Sequence, residues 1–215
     1  MLGMLHCRMD RMKPVGIGIV LAAVWWFLLF SPWTAPHIPF WMGMSTAALC
    51  LTATAYYSKA QWSFNFKLDA RQFAIGIGIA AALWGVFWIG DKISQLLFDF
   101  ARPQVDLIYS MKDQSPSWII ALELLLLIGP AEELFWRGFI QQRLAERMSP
   151  TWAWIAATAV YTLIHLWSFN FMLIMAAMVA GGLWGLLYRL RPDWLPALVV
   201  SHALWDVAAF VVFPI

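Results

Sequence analysis

The chain has 215 residues, 62% of them hydrophobic and only 12% charged, with a formal net charge of +2. A water-soluble domain of this length has too little interior to hide so much apolar surface, so the composition excludes an ordinary soluble enzyme and points to a polytopic membrane protein. The near-balanced charge holds no patch of the kind that binds nucleic acid. The two cysteines, Cys7 and Cys50, offer neither a disulfide framework nor a metal-ligand spacing.

Arg8, Arg11 and Lys13 precede a first apolar run over about 15–30. This run ends in FSPWTA, which puts Trp33 where a cleavable signal needs a small residue, so an uncleaved first span is expected. The tetrapeptide MLHC resembles a lipoprotein box, but no apolar region precedes it. Further helix-length apolar runs follow over about 38–57 and 72–90. The paired GIGI segments at 16–19 and 76–79 read as small-residue packing faces, since neither follows a strand as a phosphate loop would. Between 91 and 116 the chain turns polar, and Ile93, Leu96, Leu97 and Phe100 at i, i+3, i+4, i+7 predict an amphipathic surface helix ending before Pro103.

A fourth span begins near 117 and runs into GPAEELFWRGFIQQRL, with a kink expected at Pro130. Spans over about 151–166, 169–188 and 194–213 complete the chain, and Gly181 and Gly185 form a GxxxG packing spacing. The expected fold is therefore an all-α polytopic membrane protein with about seven transmembrane helices. It divides into an amino-terminal transmembrane region, 1–116, and a core, 117–215, whose last four spans form the catalytic bundle. Basic residues cluster before the first span, at Lys59, Lys67 and Arg71, at Arg143 and Arg147, and at Arg189 and Arg191. With seven spans all of these fall on one side, which predicts a cytoplasmic amino terminus.

Charges inside spans carry the functional signal, because each costs roughly 2.5–3.5 kcal/mol near the bilayer centre. Glu133 and Arg137, at i, i+4, share a helix face and can form an ion pair. Glu132 is rotated by about 100° from Glu133 and is the better candidate for a free, reactive carboxylate. His202 and Asp206, also at i, i+4, share a face in the last span, where the acid can fix the tautomer of the imidazole. His165 alone reads as a packing residue and Glu123 as structural. Taken together, the carboxylates, the arginine and the two histidines on three of the last four spans form a functional constellation.

The segments EELFWR (Glu132 to Arg137), YTLIH (Tyr161 to His165) and HALWD (His202 to Asp206) resemble, in order and spacing, the EExxxR, FxxxH and HxxxN/D motifs of the CAAX-protease and bacteriocin-processing (CPBP, or ABI) family of intramembrane proteases. Tyr161 replaces the usual phenylalanine, and Asp206 replaces the asparagine of eukaryotic CAAX endopeptidases, a variant that resembles the bacterial branch and so implies a bacterial inner membrane. The resemblance implies an endopeptidase acting on a membrane-associated peptide or protein. In that reading Glu132, helped by His165, activates water, His202 and Asp206 polarise the scissile carbonyl and stabilise the oxyanion, and Glu133 holds Arg137.

Other readings use the same residues. Glu132, His165 and His202 would be the ligands if zinc were used, although no HExxH occurs. A rhomboid-like serine enzyme lacks its nucleophile motif, and a presenilin-like GxGD is broken by Trp88 in WIGD. The alternative from another class is a non-catalytic bacteriocin-immunity or membrane-assembly protein that keeps the motifs and works by binding. A transporter ranks last, for lack of paired broken helices.

Overall fold

The computed structural model describes residues 12–60, 62 and 66–215. The expectations attached to Cys7, Arg8 and Arg11 lie outside these. The protein is all-helical, without a strand among the described residues. Its helices are α1 (Lys13–Phe30), α2 (Phe40–Tyr57), α3 (Ala70–Leu97), α4 (Ala101–Tyr109), α5 (117–145), α6 (Pro150–Ile164), α7 (Phe171–Leu190) and α8 (Leu195–Asp206), the last prolonged by a π-helical end, Val207–Val212.

Polar residues start the helices where the sequence places them. Asp69, Ser149 and Asn170 each accept a hydrogen bond from the backbone N–H three residues on, capping α3, α6 and α7. Four stretches are long and apolar enough to cross a membrane on length and composition: Lys13–Phe30, Ala70–Leu97, Phe171–Leu190 and Pro192–Val212. The other three of the seven expected crossings correspond to α2, richer in Ser, Thr and Tyr, to α5, interrupted by charges and π turns, and to α6, 15 residues long. The protein is an integral membrane protein.

The polar connector differs from its expected form. Ile93, Leu96 and Leu97 close α3, whose 28 residues span about 42 Å and so outrun a hydrocarbon core of about 30 Å. The break falls at Phe98, and Pro103 lies in the first turn of α4, where its missing N–H would have had no helical partner. Tyr109 at the end of α4 donates to the Ala209 carbonyl at 2.8 Å, tying the connector to α8. Burial pushes its phenol above the ordinary value, so it remains a neutral donor.

Pro130 does not break α5. It has no N–H to give the preceding turn, and that turn opens into a π segment, Leu124–Ile128, through which the helix continues. A second π segment, Trp136–Gln141, contains Arg137.

Helix α8 is the most buried, with every side chain from Leu195 to Ala203 inside the protein. Two glycines let its neighbours approach. A Cβ on Gly76 of α3 would lie 2.7 Å from the Ala197 carbonyl oxygen, and one on Gly129 of α5 would lie 2.8 Å from the Ala203 Cα. In each GIGI pair one glycine makes the contact: Gly76 against α8, and Gly18 against the rings of Phe135 and Phe139, while Gly16 and Gly78 face open space. Because the obstacle at Gly129 is backbone, Gly129→Ala is expected to force α5 and α8 apart, lowering stability by about 1–3 kcal/mol. Thermal unfolding followed by tryptophan fluorescence measures this, and an unchanged midpoint would contradict it.

Candidate active site

Glu132, Glu133 and Arg137 of α5 reach three different helices. Glu133, fully buried, accepts from Arg137 Nη1 at 2.7 Å through Oε1. The same oxygen lies 2.8 Å from His202 Nδ1 on α8. An ionised carboxylate only accepts, so Nδ1 of His202 carries a proton and donates it. Arg137 Nη2 donates to the Gly181 carbonyl at 2.9 Å, and one turn on Gln141 Nε2 donates to the Gly185 carbonyl at 2.8 Å. The GxxxG spacing of α7 thus does more than permit close packing: without side chains there, the polar edge of α5 reaches two backbone carbonyls. A Cβ on Gly181 would run into the Tyr161 ring at 2.6 Å.

Glu132 points elsewhere, as its rotation along the helix requires. Its Oε2 accepts from the Tyr161 hydroxyl of α6 at 2.8 Å. The hydroxyl that departs from the family's phenylalanine therefore touches the candidate base directly, a contact that the motif spacing alone did not reveal.

His165 closes α6. Its Nε2 is 2.9 Å from Trp26 Nε1 of α1, and its Nδ1 is 2.7 Å from the Tyr161 carbonyl oxygen. An indole N–H is only a donor and a carbonyl only an acceptor, so the ring carries its proton on Nδ1 and lends its Nε2 lone pair to Trp26. Both nitrogens are engaged. No sequence signal marked Trp26, one of 15 tryptophans in the chain, as part of the site.

His202 stacks on Trp184 of α7, with ring centroids 3.9 Å apart and planes 20° from parallel, and the Trp184 indole donates to Ser201 Oγ at 2.9 Å. On its other side Nε2 of His202 lies 3.6 Å from Asp206 Oδ2. The ring is thus clamped between an aromatic plane and two carboxylates.

Glu132, His165, His202 and Asp206 line one cavity of about 550 Å³, whose walls are otherwise mainly apolar and aromatic. Glu133 and Arg137 stand behind it. Tyr161 joins His165 to Glu132, its hydroxyl on Glu132 and its carbonyl on His165. As zinc ligands the set Glu132, His165 and His202 fits poorly, because both nitrogens of His165 and Nδ1 of His202 already have partners. No group of three His, Cys, Asp or Glu side chains disposed to hold a metal ion occurs among the described residues.

The family model for Type II CAAX prenyl endopeptidase Rce1-like matches residues 114–208, the segment that supplies Glu132, Glu133, Arg137, His165, His202 and Asp206. The matched segment, less than half of the chain, is similar to this family. No curated protein and no solved structure matches the chain. The Rce1-like segment begins just before α5 and ends two residues after Asp206, so Trp26 and the α3 wall of the cavity lie outside it.

Proposed function

We propose that this protein is an intramembrane endopeptidase of the CAAX type, hydrolysing a peptide bond of a membrane-associated substrate. The observation that carries the reading is the carboxylate of Glu132, held at one oxygen by Tyr161 and lining a largely apolar cavity that also reaches His202 and Asp206. Glu132 takes a proton from water as the water oxygen attacks the scissile carbonyl carbon. His202, its Nδ1–H held by Glu133 and its Nε2 side flanked by Asp206, acts as the imidazolium and presents its Nε2–H to the oxygen on which negative charge develops. As the C–N bond breaks, the proton held by Glu132 passes to the leaving amine.

His165 supports this differently from a direct partner at the water. With both ring nitrogens occupied, it positions Tyr161, and through Tyr161 it positions Glu132. Glu133 and Arg137 brace the assembly by fixing His202 to α5 and α5 to α7.

The substrate's side of approach follows from charge placement. Arg143 donates to the carbonyls of Ser58 and Lys59, Gln72 to that of Asp193, and Arg189 to Thr151, so the basic ends of α2, α5 and α7 share one face of the bundle. The cavity runs the other way, to Val105, Ile108 and Tyr109 of α4. By the positive-inside rule the basic face and the amino terminus are cytoplasmic, in a bacterial inner membrane, and the cavity meets its substrate from the opposite side. In a Cys7→Ser/Cys50→Ser background, a cysteine at Asp113 is expected to react with a membrane-impermeant maleimide in intact cells, and one at Arg147 only after permeabilisation. The reverse pattern would place the mouth in the cytoplasm.

Comparing the termini of membrane proteins between cells carrying wild type and Glu132→Gln tests the activity and finds the substrate together. A cleaved species lost only in the variant is expected, and identical termini would sink the protease reading.

A further inference from the structure

One hydrogen bond in the site comes from a helix outside the Rce1-like segment. Helix α1 buries Val15, Gly18, Ala22, Trp26 and Leu29, each three or four residues from the next, so they form a single stripe along the helix. The small members of that stripe let α1 come close to the bundle: Ala22 is fully buried, and a Cβ on Gly18 would already meet the Phe135 ring of α5 at 3.2 Å. This approach carries Trp26, itself 1% exposed, to the end of α6, where its indole donates to His165 Nε2 at 2.9 Å. Trp26 and Phe30 both set their rings against the imidazole, with centroids 5.6 and 6.0 Å away.

The imidazole in turn closes α6. As the helix ends, the His165 backbone N–H turns to the Thr162 carbonyl, while the Tyr161 carbonyl is met by the ring's own Nδ1–H at 2.7 Å. The ring therefore caps the same residue whose hydroxyl reaches Glu132. Its orientation has to be fixed from the far side as well, because a neutral imidazole flipped by half a turn presents a different nitrogen to that carbonyl. An indole N–H is an obligate donor. It selects an unprotonated Nε2 facing α1, and it is incompatible with both the other tautomer and the imidazolium. By occupying that lone pair it also keeps His165 off the attacking water.

We propose that Trp26 is a positioning residue, locking His165 as the Nδ1–H tautomer and, through the carbonyl and hydroxyl of Tyr161, setting the Glu132 carboxylate. Its kinetic consequence rests on the protease reading of the cavity. It makes α1 part of the catalytic assembly.

Two replacements of Trp26 separate the N–H from the ring. 3-Benzothienylalanine keeps the bicyclic shape, with sulfur in place of the N–H. Trp26→Gln keeps a donor nitrogen at the same bond count from Cβ as the indole nitrogen, without the ring. With purified protein in detergent and a farnesylated CAAX peptide, the isostere is expected to lower kcat about five- to tenfold with KM nearly unchanged. Trp26→Gln is expected to keep the higher kcat of the two, although it loses more packing. A ring that only fills space gives the reverse order, which would overturn the proposal, as would a loss confined to KM or a rate above that of wild type. Nitrogen-15 spectra of the His165 ring, assigned by difference from His165→Gln, supply a readout that needs no turnover. Wild type is expected to show one Nδ1–H tautomer, and the isostere to shift the Nε2 signal. An unchanged Nε2 signal overturns the lock. Failure of wild type to cut the peptide counts against the protease reading, while the Nε2 signal still upholds or overturns the hold of Trp26 on His165.

Discussion

Replacing Glu132 by glutamine is expected to slow peptide hydrolysis by about 10²–10⁴-fold while leaving the protein folded. The substitution keeps the size of the side chain and an oxygen for the Tyr161 hydroxyl, and it removes the capacity to take a proton from water. Glu132 belongs to no ion pair among the described residues, so no charge is left uncompensated by its loss. The effect should appear in kcat more than in KM, because the proton is transferred only as the transition state forms. A variant as active as wild type would remove Glu132 from the chemistry. Tyr161→Phe supplies the companion measurement. It keeps the ring that packs against Trp136 and His165 but frees the second Glu132 oxygen. A hydrogen bond to an ionised group contributes about 1.5–3 kcal/mol at most, so the loss should be far smaller than that of Glu132→Gln.

Breaking the pair behind the site is expected to cost stability rather than chemistry alone. Glu133→Ala leaves the Arg137 guanidinium, 2% exposed, with the Gly181 carbonyl as its remaining hydrogen-bond partner. Removing one member of a buried ion pair costs about 3–5 kcal/mol, because the other stays desolvated and uncompensated. Unfolding in a denaturing detergent titration, followed by tryptophan fluorescence, should show this for Glu133→Ala and for Arg137→Ala. Replacing both, as Glu133→Gln with Arg137→Met, removes both charges and is expected to recover much of the stability. It should not recover activity, since His202 Nδ1 no longer has an ionised acceptor to hold its ring. Full recovery of both would reduce the pair to packing and would separate His202 from the proposed oxyanion role.

Much of this site was legible because its signals are local. The i, i+4 spacing of Glu133 and Arg137 becomes a 2.7 Å ion pair, since helix geometry needs no tertiary information to bring those side chains together. The rotation of Glu132 away from that pair follows from the same 3.6-residue period. His202 and Asp206 also come close, but at 3.6 Å they flank each other without a hydrogen bond, and the tighter partner of the imidazole is Glu133, 69 residues away in sequence. The amphipathic reading of 93–100 missed because a run of apolar residues at helical spacing does not reveal where a longer helix stops. The backbone turned at Phe98, not before Pro103.

The sequence by itself determined that the chain is helical and membrane-embedded, and that its charged residues gather on the spans of the carboxyl-terminal half. Hydropathy and helical periodicity act over one or two turns and survive without knowledge of neighbours. Only the tertiary structure decided which nitrogen of His165 holds a proton, because that depends on a tryptophan 139 residues away on α1. It alone decided that Tyr161 binds Glu132. Such contacts are set by how the helices are rotated and how closely they approach, and at Gly76, Gly129 and Gly181 the absence of a single Cβ decides it.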